Sequence, residues 1–225
     1  MSNVPVITID GPSGVGKGTI SQLLARHLGW HFLDSGALYR LTALAAKRRE
    51  IPLADAEAVG QVAAELAVCF EPVEQGEARV FLDNQDVTDD IRTAQAGMDA
   101  SVVAAHPPVR AALLQRQRDF AQAPGLIADG RDMGTTVFPQ APHKFFLTAS
   151  PEVRAERRYK QLIEKGLDAN LLGLVEEIRA RDERDSNRSV SPLRPADDAI
   201  CIDTSEKGIE AVFAEVLAHC QGVVI

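Results

Sequence analysis

The apolar positions of this chain follow two rhythms. Short apolar-rich runs at Val4–Ile9, His31–Leu33, Leu126–Ala128, Lys144–Thr148 and Ala199–Ile202 have the length and density of strands buried on both faces. Between most of them, apolar residues recur three and four apart. Ile20, Leu23, Leu24 and Leu28 share one helical face after the first run, and Ile209, Val212, Phe213, Val216, Leu217 and Cys220 share another near the far end. Strands alternating with helices predict an α/β fold: a five-stranded parallel sheet covered by helices, with ligands bound outside the carboxyl ends of its strands.

One stretch breaks the alternation. From Leu66 to Thr88 the segments AVCFEPV, ARVFLD and QDV read as short strands separated by turn-like EQGE and DNQD. No helix of adequate length fits between them, which predicts an antiparallel meander. Helical patterns follow at 94–105 and 107–121. The expected organisation is therefore a core made of residues 1–62 and 106–225, with an inserted antiparallel β subdomain at 63–105.

Composition narrows the function classes. With 225 residues, 45% of them hydrophobic, the chain is long enough to bury a full core. No segment approaches the roughly 18 consecutive apolar residues a membrane span needs. The N-terminal MSNVPVITID shows neither the basic flank nor the cleavage site of a leader, so a cytoplasmic location is expected. Cys69, Cys201 and Cys220 are odd in number, far apart and outside any C-x-x-C spacing, which fits reduced thiols, each with a buried structural role. A net charge of −8 argues against nucleic-acid polymers and membrane surfaces as partners. The arginines nevertheless gather at Arg154, Arg157 and Arg158 and again through RARDERDSNR, 179–188, as a compact anionic ligand would require. His27, His31, His106, His143 and His219 have no metal-binding spacing, and no Ser-His-Asp set is apparent.

Three motifs fall just past predicted strands: GPSGVGKGT at 11–19, DSG at 34–36 and DGRD at 129–132. The first comprises Gly11, Pro12, Ser13, Gly14, Val15, Gly16, Lys17, Gly18 and Thr19. A glycine-rich turn between strand and helix lets successive backbone N–H groups converge on phosphate oxygens, with the helix N-terminus adding positive potential. Lys17 then reads as a mobile surface cation for the terminal phosphates. The pattern departs from G-x-x-x-x-G-K-[ST] because Gly18 follows the lysine. Whether the hydroxyl of Thr19 or that of Ser13 approaches a metal or phosphate stays open. Arg40 and Arg131, each just beyond a strand, suit a second dianion, since guanidinium is permanently charged and binds bidentately. Leu171, Leu174, Val175 and Ile178 predict a buried stripe whose period continues through Arg181, Asp185 and Arg188, while Arg184 falls off that arc into solvent. Ser150 and Pro151 predict a helix start; Arg154, Arg157 and Arg158 then share one face, with only Glu156 as an acidic neighbour, and Tyr159, Leu162 and Ile163 share another. Asp129 reads equally as a water-mediated metal ligand or a turn-capping aspartate, and Asp34 is similar.

GPSGVGKGT resembles the loop of the nucleoside monophosphate kinases, where G-K-G-T is the usual form. DSGALYR, 34–40, resembles their acceptor-side motif, and IADGRDMGT, 127–135, with RDERDSNR, 181–188, narrows the resemblance to bacterial cytidylate kinases over essentially the whole chain. The resemblance implies a P-loop kinase core, an acceptor-binding subdomain and a helical lid at 154–170, and transfer of the γ-phosphoryl group of ATP to CMP or dCMP with Mg2+. It implies ATP contacts from Gly11 to Thr19 and from Arg154, Arg157 and Arg158, with Lys17, Arg131, Arg157 and Arg181 in catalysis. CMP contacts follow at Ser35, Tyr39, Arg40, Ser101, Arg110, Arg131, Asp132, Arg181, Asp185 and Arg188, and metal contacts at Thr19 and, through water, Asp129. Asp132 suits cytosine, whose exocyclic amino group it accepts from, and Asp185 is the second candidate for that task. A monomer is expected. Phosphorylation of UMP or AMP and a nucleotide-binding regulator without turnover are the rivals; the long insertion and RDERDSNR disfavour a non-nucleotide alcohol such as shikimate.

Overall fold

Strand β1 (Val6–Asp10) is buried at all five positions, as a strand flanked on both edges must be. A computed structural model describes residues 4–71, 79–164 and 166–220 of the chain. The chain divides into two compact units, one formed by residues up to Asp34 and from Gln117 onward, the other by Ser35–Arg116.

In the first unit β1 lies between β6 (Leu126–Gly130) and β7 (His143–Thr148), with β2 (His31–Asp34) beyond β6 and β8 (Ile200–Asp203) beyond β7, all parallel. Helix α1 (Lys17–Leu28) and helix α8 (Ile209–His219) pack Ile20, Leu24, Val212 and Val216 against Ile7, Ile9, Ile127 and Phe145. Each such side chain fully removed from water contributes about 1.5–3 kcal/mol. Register sets two carboxylates of this sheet side by side, Asp129 opposing Asp34, with Asp10 one position further along, opposite Gly130. The remaining helices of this unit are α6 (Pro151–Glu164) and α7 (Leu171–Asn187). Ser150 caps α6 by accepting the Val153 N–H at 3.2 Å.

The second unit contains α2 (Ser35–Arg48) and α3 (Ala56–Ala64), capped by Asp55, whose carboxylate accepts the Ala58 N–H. The meander follows as an antiparallel sheet in the order β3 (Val68–Glu71), β4 (Arg79–Leu82), β5 (Gln85–Asp86). Asp83 and Asn84, with φ of 50° and 63°, form the two-residue loop between β4 and β5, the mirror-image turn whose twist matches the flanking strands. The other predicted turn, EQGE, lies outside the described residues. Helices α4 (Ala94–Val103) and α5 (Pro107–Arg118) complete the sequence of elements, α4 being capped by Thr93.

Two expectations are corrected. Only Cys220 is buried. Cys69 and Cys201 are exposed, Cys201 on the edge strand β8; all three are free thiols. The apolar stripe of α7 is half-buried rather than buried, and Asp185 is the helix's one buried residue. A helix packed mainly along one neighbour, α6, leaves its apolar side chains at a rim.

Candidate functional site

The turn between β1 and α1 is built by close approach. A Cβ on Gly11 would sit 2.2 Å from the Leu147 carbonyl oxygen, so no other residue fits there without moving β7. Gly16 caps α1 in a left-handed conformation, at φ 95°. Lys17 is the first helical residue, and it is not the mobile surface cation its spacing suggested. It is 9% exposed, donates to the Pro12 carbonyl at 3.0 Å and lies 3.8 Å from Asp129. Burial pulls its pKa below the ordinary lysine range, opposed chiefly by the Asp129 charge. Burial likewise pushes Asp129 up to about 7, outweighing the nearby ammonium, with the Asp34 and Asp10 charges adding to the rise. Thr19 is exposed at the first turn of α1 and Ser13 is half-buried.

Asp10 is the residue that sequence reading passed over. It ends β1 at 4% exposure, and its two carboxylate oxygens accept the N–H groups of Met133 at 2.9 Å and Gly134 at 2.8 Å. Burial raises its pKa to about 7 despite these bonds. The anchored segment is a π-turn over Met133–Val137, in which the Asp132 carbonyl accepts from Thr136 and Val137. Asp132 is 3% exposed just before the turn. Arg131 donates through Nε to Asp185 at 2.5 Å, and its Nη2 has no hydrogen-bond partner among the described residues. The arc predicted on α7 thus delivers Asp185 to the DGRD motif. Arg181 and Arg188 are half-buried, Arg188 donating to the Ser191 carbonyl, and Arg184 is exposed as its position required.

The three arginines of α6 have different surroundings. Arg154 is 2% exposed; it donates to the carbonyls of Ala149 at 3.0 Å and Ser13 at 3.1 Å and forks onto Asp182 of α7. The acidic partner missing from its own helix comes from the next one, a pairing that no spacing within α6 encodes. Arg157 donates to the Val15 carbonyl at 3.5 Å, to the Thr204 hydroxyl at 3.2 Å and to the Thr204 carbonyl. Arg158 is half-buried. Helix α6 ends before Gly166, which has a φ of 73° and donates to the Ile163 carbonyl.

In the second unit, Ser35 opens α2 and Tyr39 lies on its buried face, with the Arg110 guanidinium 5.7 Å from its ring centroid. Arg110 is 8% exposed and donates to the Ala104 carbonyl at 3.3 Å. Arg40 donates to the Ile91 carbonyl at 2.7 Å, and Ser101 is half-buried on α4. A guanidinium is permanently charged and binds phosphate bidentately, so Arg110, buried, and Arg40, half-buried, are candidates for an anion site.

Among the described residues no group of three or more His, Cys, Asp or Glu side chains could hold a metal ion. The hard oxygen donors at Thr19 and Asp129 do suit Mg2+, which keeps most of its waters and takes few protein ligands.

The family model for cytidylate kinase matches residues 7–222. A cytidylate kinase of Pseudomonas paraeruginosa is 58% identical over 219 residues, covering 97% of this chain and 96% of that protein. One from Shewanella denitrificans is 59% identical over 216 residues, with 96% and 95% covered, and one from Colwellia psychrerythraea is 55% identical over 220 residues, with 98% and 97% covered. Strand, phosphate loop, anchored DGRD turn and arginine helices therefore occur in a chain that matches this family along nearly its whole length, and the chain belongs to the cytidylate kinase family.

Proposed function

We propose that this protein transfers the γ-phosphoryl group of ATP to CMP or dCMP, giving ADP and the corresponding diphosphate. One observation carries the reading: β1 and β6 are paired strands, so the phosphate loop after β1 and the DGRD turn after β6 leave the sheet side by side. Phosphoryl transfer makes little covalent demand on a protein; it requires two phosphates in line, neutralised charge and excluded water.

The loop Gly11–Thr19 holds the ATP phosphates through its N–H groups and Lys17, assisted by the lid at 154–170 through Arg154, Arg157 and Arg158. Lys17, Arg131, Arg157 and Arg181 stabilise the charge that develops in transfer. CMP is bound by Ser35, Tyr39, Arg40, Ser101 and Arg110, with segment 63–105 as acceptor subdomain, and by Arg131, Asp132, Arg181, Asp185 and Arg188. Thr19, and Asp129 through water, would hold Mg2+, which supplies charge neutralisation at the phosphates. The proposal includes a cytoplasmic location and a monomer; among the described residues no helix is long and apolar enough to cross a membrane.

A coupled assay of ATP consumption tests the reading. CMP should stimulate consumption by orders of magnitude, with UMP, AMP and shikimate far weaker. Consumption that ignores CMP, or that another acceptor stimulates more, would replace it.

A further inference from the structure

Three carbonyls of the phosphate loop are held by side chains: Pro12 by Lys17 at 3.0 Å, Ser13 by Arg154 at 3.1 Å and Val15 by Thr204 Oγ1 at 3.1 Å. In a trans peptide the carbonyl of one residue and the N–H of the next point in opposite directions. Fixing the Ser13 and Val15 carbonyls therefore aims the N–H groups of Gly14 and Gly16. These two glycines have φ of 80° and 95° and no side chains of their own to restrain those planes. The restraint has to come from outside the loop.

Thr204 supplies one part. It follows the edge strand β8, is 2% exposed, and donates its own N–H to the Thr148 carbonyl at 2.8 Å. Its hydroxyl lies 3.1 Å from the Val15 carbonyl and 3.0 Å from that of Thr148, while accepting from Arg157 at 3.2 Å. One proton shared between two carbonyls, with a lone pair for the guanidinium, engages the group both as donor and as acceptor. Asp182 supplies the other part, because it takes both terminal nitrogens of the Arg154 that holds Ser13.

We propose that Thr204 and Asp182 are positioning residues for ATP: neither touches the nucleotide, and each presets the phosphate-loop amides through a carbonyl on the loop's outer side. The inference rests on the reading of Gly11–Thr19 as the ATP-phosphate site. It assigns a task to Thr204, outside every motif quoted above, and to Asp182, a residue of RDERDSNR that had none.

The test is calorimetric titration of the full-length chain with ATP and, separately, with CMP, at fixed Mg2+. Thr204→Val keeps the shape and removes the hydroxyl. Losing a hydrogen bond that orients a phosphate-binding amide should weaken ATP about tenfold. CMP affinity should stay within twofold, and Thr204→Ser should restore ATP binding to within twofold of the parent. Asp182→Asn should likewise weaken ATP and leave CMP unchanged. ATP affinity within twofold of the parent in Thr204→Val, equal losses for both nucleotides, or a serine variant as weak as the valine one would each overturn the proposal. If Thr204→Val melts far below the parent, Asp182→Asn decides by the same criteria. A parent chain that binds CMP but no ATP would overturn the reading of the loop, and this inference with it.

Discussion

Replacing Arg154 by Leu probes how the phosphate loop is braced. The arginine is 2% exposed and forks onto Asp182 of the neighbouring helix α7. Removing one partner of a buried pair costs roughly 3–5 kcal/mol, because the other charge is stranded. Asp182 is 24% exposed on its side chain and so regains some water, which places the ionic part near the lower bound. The Ser13 and Ala149 carbonyls also lose a donor, adding about 1 kcal/mol. The expected loss is about 3–4 kcal/mol, or roughly 10 °C in melting temperature for a chain of this size. Urea unfolding followed by tryptophan fluorescence is the assay. Trp30 is the chain's one tryptophan and packs against the core cluster of the first unit, so the signal reports the unit that contains the brace. The double variant Arg154→Leu with Asp182→Leu removes both charges and should recover most of the loss. A single variant within about 1 kcal/mol of the parent, or a double variant no better than the single, would refute the reasoning.

Lys17→Ala should lower kcat by roughly two to four orders of magnitude, the scale of one preorganised transition-state donor. Its fold should survive, because burial already raises the Asp129 pKa and losing the Lys17 ammonium raises it further, so the carboxyl left behind takes up a proton; a kcat within threefold of the parent contradicts the expected loss of rate. Asp132→Asn should reduce kcat/KM for CMP far more than for UMP, since a mismatched buried polar pair costs about 1–3 kcal/mol. An unchanged CMP/UMP ratio would point to Asp185 instead. Limited proteolysis at exposed positions of the proposed lid such as Lys160 and Leu167 should slow when ATP and CMP analogues are added together, and equal rates with and without them argue against a closing lid. Iodoacetamide at pH 8.5 should label Cys69 and Cys201 readily and spare Cys220, whose burial pushes its thiol up to about 11; rapid labelling of all three in the folded protein contradicts the burial pattern.

The alternation of apolar runs and helical faces, the meander and the phosphate loop were legible in the sequence because each is local. A buried parallel strand must be apolar throughout, a helix must repeat near 3.6 residues, and a turn that approaches Leu147 to within 2.2 Å of an absent Cβ must be glycine. DGRD and the arc on α7 were legible as separate features. Their meeting through Arg131 and Asp185, 54 residues apart, was not. Tertiary structure alone decided that Lys17 is buried, that Asp10 anchors the π-turn 123 residues away, and that Arg154 is neutralised by Asp182. It also decided which cysteines face solvent. The physical reason is common to these cases. Side-chain periodicity determines which face of an element a residue occupies, whereas burial of a charge and its partner depend on which other element packs there, and that is set by the strand order β2-β6-β1-β7-β8 rather than by neighbours in the chain.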